Sequence, residues 1–90
     1  MVVDEARARE FAQRFLKDTI QPKVAHDLVL TTVDRYDNCW VVTYNTRRFS
    51  ETGEIRYALA GNGPLIVNRR TGVVRQGRAS RPIRDQLDPD

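Results

Sequence analysis

Between residues 60 and 77 the chain reads AGNGPLIVNRRTGVVRQG, and this run constrains the fold more than any other. Gly61 and Gly63 can take positive φ at little steric cost, and Pro64 then holds φ near the extended region, so a tight bend feeds directly into a strand. Leu65, Ile66 and Val67 make that strand. Arg69-Arg70-Thr71-Gly72 supplies a turn with glycine late in it, where a left-handed residue is wanted, and Val73-Val74 return as the partner strand.

A glycine-rich turn also invites comparison with phosphate-binding loops, and the comparison fails. A dinucleotide fingerprint needs a third glycine three residues after the second, where this chain has Ile66, and a P-loop needs Gly-Lys-Ser/Thr. Phosphate loops open helices, whereas these glycines precede a strand. The plain reading is a turn that lets the backbone pass close to a neighbour.

Upstream, Asp4 can cap a helix running to about residue 18, with Glu5 at its positive end. Ala8, Phe11, Ala12, Phe15 and Leu16 fall on one face, while Arg7, Glu10, Arg14 and Lys17 face water with Glu10 and Arg14 as an i,i+4 pair. Pro22 is expected to end the helix by disfavouring helical geometry at Gln21. Residues 28–33 read as a first strand, 34–38 as its turn and 39–46 as a second strand. Alternation puts Trp40, Val42 and Tyr44 on one face and Val41, Thr43 and Asn45 on the other. One face must meet the helix, which leaves the far face solvated or available for binding. Residues 47–53 read as a polar connection, and 55–60 as either a short strand or a helical turn. Ser80 can cap a last helical segment with Pro82 near its start, Ile83 and Leu87 one turn apart and Pro89 as its stop.

Ninety residues make one domain over 1–90, with a single small core and little room for an enclosed active site. No apolar run approaches the roughly 20 residues of a membrane span. The chain enters charged residues at once, so no secretion signal is expected, and a lone cysteine fits a reducing cytoplasm. The net charge of +3 is unevenly placed: from Arg69 to Arg84 there are six arginines and no acid. That points to an anionic partner, although arginine outnumbers lysine thirteen to two throughout.

Candidate chemistry is sparse. Cys39 and His26 could form a nucleophile and base only if brought side by side, and Cys39 opens an apolar strand, where a free cysteine is usually a small buried hydrophobe. One histidine and one cysteine fall short of a zinc site, and Asp34 and Asp37 sit where turns favour carboxylates for backbone hydrogen bonding. No catalytic residue, metal or cofactor is expected. Arg69, Arg70, Arg75, Arg78, Arg81 and Arg84 could neutralise phosphates, with Phe49, Tyr57 or Tyr36 stacking on bases, so a nucleic-acid or polyanion binder is one reading. The bland alternative is a charged edge that stays soluble and resists strand pairing. Trp40 is either a core anchor or part of an interface.

The run GNGPLIVNRRTGVV, with the aromatic-rich strand Trp40-Val41-Val42-Thr43-Tyr44-Asn45 before it and Gly77-Arg78-Ala79 after it, resembles the YrhB-like, or immunity protein 35, family of bacterial polymorphic toxin systems. The likeness covers the chain from about Trp40 onward. Asn68 departs from the acidic residue expected at that position, and the C-terminal segment is more basic than expected. The resemblance implies an α+β fold: an N-terminal helix packed on a four-stranded antiparallel β-sheet, with a short C-terminal helical segment. It implies a small non-catalytic cytoplasmic protein that binds a cognate toxin, among them papain-like and caspase-like peptidases, with a chaperone-like role as a weaker option. The expected binding residues are Trp40, Tyr44, Gly61, Asn62, Gly63, Pro64, Arg69, Arg70 and Arg75.

Overall fold

The computed structural model describes residues 2–59 and 61–87. Ala60, at the end of the segment left open above, and Pro89, the expected helix stop, lie outside them.

Helix α1 spans Glu5–Phe15, and its start is set as the sequence predicts: the Asp4 carboxylate accepts the Arg7 N–H at 2.8 Å. The ion pair on its outer face is Glu5 with Arg9 at 3.3 Å rather than the expected Glu10 with Arg14. Beyond Phe15 the helix widens into a π-turn, Leu16–Ile20, closed by the Gln21 N–H on the Leu16 carbonyl. In a regular helix each four-residue step overshoots a full turn by about 40°, so a stripe at that spacing drifts around the axis. The wider turn holds Leu16 and Ile20 in line with Ala8 and Ala12, and all four are buried. The two phenylalanines are only half-buried.

Pro22 does not end the helical segment, which corrects the sequence expectation. Gln21 keeps helical angles (φ −50°, ψ −41°), and Gln21–Lys23 add one 3-10 turn with the proline at its start. There a missing N–H removes no bond. The turn stops at Val24, which is extended. The Gln21 side chain then stitches the exit, accepting the Leu28 N–H at 2.9 Å and donating to the His26 carbonyl at 2.8 Å.

Four antiparallel strands follow in the order β1-β2-β3-β4: Leu28–Arg35, Cys39–Thr46, Leu65–Asn68 and Val74–Gln76. The first runs two residues further than the sequence suggests, and a bulge at Thr31 shifts its register against β2. The last starts one residue later, at Val74. The expected alternation of β2 holds. Trp40, Val42 and Tyr44 meet α1 together with Leu65 and Val67 in the main core.

The far face is not open where β2 and β3 meet. Cys39, Val41 and Ile66 form a second buried cluster, covered by Tyr36, Ile83 and Leu87. The covering segment is a 3-10 turn, Ile83–Gln86, without a side-chain cap from Ser80. Gln86 holds it in place: its Nε2 donates to the carbonyls of Arg78 at 2.8 Å and Arg81 at 2.9 Å, and its Oε1 accepts the Arg78 N–H.

The expected polar connection after β2 contains a short helix, α2, Arg47–Thr52. Thr46 caps it by accepting the Phe49 N–H at 3.0 Å, and Gly53 closes it at φ 72°. A 3-10 turn, Ile55–Tyr57, settles the ambiguous segment as helical.

Candidate partner-binding site

The turn at Gly61-Asn62-Gly63-Pro64 works through two different glycine properties. Gly61 has φ 77° with open space around it, so it supplies conformation. Gly63 supplies room: a Cβ there would lie 1.7 Å from the Gly77 carbonyl oxygen. That close approach is the backbone passage the sequence predicts, and it lets the Gly77 N–H reach the Pro64 carbonyl at 2.7 Å. Asn62 pins the turn to β2 by donating to the Tyr44 carbonyl at 3.3 Å.

The hairpin tip is built by Asn68. Its side-chain oxygen accepts the N–H groups of Arg70 at 2.8 Å and Thr71 at 3.0 Å, and its carbonyl accepts that of Gly72 at 2.9 Å. An acidic side chain would present the same acceptor, so the departure noted at Asn68 leaves the turn chemistry intact. Gly72, at φ 77°, lies under the Phe11 ring, which a Cβ would meet at 2.8 Å.

Between these two turns runs a trough. On one side stand Phe11, Arg14, Phe15, Asp18 and Thr19 of the first helical segment, and on the other Gly72 and Val74, enclosing about 300 Å³. It continues past Thr19, with Ile20, Lys23 and Val24 facing Gly61, Asn62 and Gln76 across a further space of about 270 Å³. Tyr44 lies in its floor, where its hydroxyl accepts from Gln76 Nε2 at 2.8 Å. Burial pushes the Tyr44 phenol above its ordinary pKa, and the hydrogen bonds with Asn62 and Gln76 pull the other way.

The residues singled out from the sequence separate into two sets. Gly61 and Asn62 line the trough, Asn62, Gly63 and Pro64 line a second depression, and Arg70 stands exposed at the hairpin tip. Trp40 and Tyr44 belong to the core, with 8% and 3% of their surface exposed, and Tyr44 also lies in the floor of the trough. Trp40 donates its indole N–H to the Val3 carbonyl at 2.8 Å. Arg69 is structural as well: its guanidinium donates to the carbonyls of Tyr36 and Asp37, and its own carbonyl accepts the Val3 N–H at 2.7 Å. Arg75 reaches the Gln86 carbonyl and tethers the C-terminal turn. These arginines satisfy backbone carbonyls at turns, a role that composition cannot separate from phosphate binding.

The trough residues Phe11, Phe15, Gly72 and Val74 were not anticipated as a site. The available signal was the i+4 stripe Ala8-Ala12-Leu16-Ile20, which occupies the core face and leaves both phenylalanines on its flank.

Cys39 and His26 are not brought together. His26 lies exposed just before Leu28, which pairs with Thr46, whereas Cys39 is buried at the opposite end of β2. Among the described residues no group of three or more metal-binding side chains converges, and no helix is long and apolar enough to cross a membrane. Of the aromatics considered for base stacking, Tyr57 is covered by Arg48 and Arg56, whose guanidinium carbons sit 4.6 and 4.8 Å from the ring centre. Tyr36 packs on the second cluster.

A family model described as Immunity protein 35 matches residues 4–88. The chain is similar to a protein of Escherichia coli (strain K12) described as "Uncharacterized protein YrhB", with 29% identity over 76 residues that cover 84% of this chain and 76% of that one. No solved structure matches.

Proposed function

The chain belongs to the immunity protein 35 family, and from that premise we propose that it is a cytoplasmic binding protein that neutralises a cognate bacterial toxin by direct contact, without a catalytic step of its own. The match across residues 4–88 carries the reading, because it takes in the whole sheet and both turns. The separation of His26 from Cys39 supports a non-catalytic role. Occlusion of the toxin's active site is the mechanism that such a chain can perform with shape and charge alone. The toxin class suggested by the resemblance is a papain-like or caspase-like peptidase.

The surface we assign to the toxin is the trough between the hairpin tip and the Gly61-Asn62 turn, together with Arg70, exposed at that tip two residues before Gly72. A packed interface with an apolar centre survives high salt, whereas phosphate-driven binding weakens steeply as salt rises. The tagged chain is therefore captured from host lysate and washed at low and then high salt, with mass spectrometry and a nucleic-acid assay on each fraction. One near-stoichiometric protein retained at high salt, whose toxicity in a heterologous host is relieved by co-expression of this chain, is the expected result. Nucleic acid released by salt, with no dominant protein, would replace this reading by the polyanion-binding one.

A further inference from the structure

Among the described residues, strand β4 has a neighbour on one side only. The Val73 carbonyl and the Gly77 N–H bond inward, to Asn68 at 2.9 Å and Pro64 at 2.7 Å. In an antiparallel ladder the bonding direction alternates, so the backbone groups of Val74 and Gln76 point away from β3 to the open edge. Val74 and Gln76 are also the β4 residues that line the trough. Outward backbone donors and acceptors thus share one channel with the half-buried rings of Phe11 and Phe15.

The opposite edge of the sheet is defended differently. Strand β1 carries the Thr31 bulge and the exposed Asp34 and Arg35, devices that discourage a further strand.

Charge along the trough selects among possible occupants. Arg14 and Lys23 stand exposed at its two ends, with Asp18 between them. From Arg14 to Lys23 the wide π-turn shortens the rise and the tight 3-10 turn lengthens it, so these nine residues advance about as far as in a regular helix, roughly 13.5 Å. Four residues of extended chain span about 13 Å. An extended segment with acidic side chains four positions apart therefore meets both cations, and the residue midway between those acids points to the same side, toward Phe15 and Val74.

We propose that β4 accepts an extended segment of the partner protein as a fifth strand, with an apolar centre and an acidic residue at each end. The inference rests on the reading that this chain binds a protein partner. Its main-chain bonds would run to Val74 and Gln76, and its flanking acids to Arg14 and Lys23.

The probe is the peptide acetyl-Asp-Val-Phe-Val-Asp-amide, titrated into the full ¹⁵N-labelled chain, with the version carrying lysine at both ends as its counterpart. Amide exchange at Val74 and Gln76 should slow at least tenfold at saturation with the acidic peptide, and the lysine version should bind at least tenfold more weakly. The double variant Arg14→Glu, Lys23→Glu, altered only at exposed positions, should reverse that preference. Unchanged exchange at Val74 and Gln76, or equal binding of both peptides, overturns the proposal. This test needs no toxin, so the two readings fail separately. Lack of any captured toxin with slowed exchange here removes the immunity reading alone. A captured toxin whose complex leaves Val74 and Gln76 exchanging freely removes the fifth strand alone.

Discussion

Trp40 and Val3 are 37 positions apart, and the indole N–H of the first donates to the carbonyl of the second at 2.8 Å in the buried core. The bond closes the segment before α1 over β2, and the Val3 N–H on the Arg69 carbonyl at 2.7 Å fastens the same segment to the hairpin. Replacing Trp40 by Phe leaves the Val3 carbonyl without its buried partner, at a cost of about 1–3 kcal/mol. For a chain of this size the expected fall in Tm is roughly 5–20 °C. Thermal unfolding followed by circular dichroism checks it, and a fall below about 2 °C would show that the indole bond holds nothing in place.

The two glycines of the turn should respond differently to the same methyl group. Gly61→Ala meets no neighbour and carries only the strain of positive φ, about 1–2 kcal/mol. Gly63→Ala drives a Cβ to 1.7 Å from the Gly77 carbonyl oxygen, so β3 and β4 must separate, at about 3 kcal/mol or more. Urea denaturation of the pair measures the difference. Equal losses would mean that the Gly63 and Gly77 backbones do not approach as described.

Adjacent arginines at the hairpin tip should have opposite effects. Arg69→Ala frees the carbonyls of Tyr36 and Asp37 and should cost about 1–3 kcal/mol. Arg70→Ala, at an exposed position, should stay within about 0.5 kcal/mol. Toxin affinity should then fall in Arg70→Glu without loss of stability. A stability loss in Arg70→Ala as large as that in Arg69→Ala would contradict this division.

Tyr44 gives a dependence on alkaline pH. Burial raises its phenol above the ordinary 10.0 in the folded chain. The neutral form is thus favoured by folding, and its contribution is fully present below pH 10.0 and is lost as pH rises through the folded value. Unfolding free energy measured from pH 8 upward should fall more steeply above about pH 10 in the parent than in Tyr44→Phe. Parallel curves would show that the phenol is hydrated rather than buried.

Much of the chain could be read locally because local chemistry decides it. The Asp4 cap, the alternation of β2 and the hairpin around Gly72 each depend on residues within a few positions of one another. The structure departs from the sequence reading at junctions, where the end of one element sets the bonding pattern of the next. Pro22 is locally a helix breaker, yet the π-turn before it starts a new bonding pattern in which a proline fits. Residues 47–53 look polar and irregular, yet Thr46 and Gly53 cap a helix between them, a start and stop signal that the sequence carries.

The sequence by itself determined the N-terminal helix, the four strands, the hairpin, the alternation of β2 and the lack of an apolar run long enough to span a membrane. These follow from periodicity, turn chemistry and length, which act over a few residues. Only the tertiary structure decided what the arginines do and where a partner can fit. An arginine on a turn carbonyl and one facing solvent have the same composition, and Arg69 and Arg70 are neighbours in the chain. The trough exists because the π-turn holds the Ala8-Ala12-Leu16-Ile20 stripe on the core, setting Phe11 and Phe15 beside an edge strand about sixty residues later. That placement is long-range packing, which no local pattern encodes.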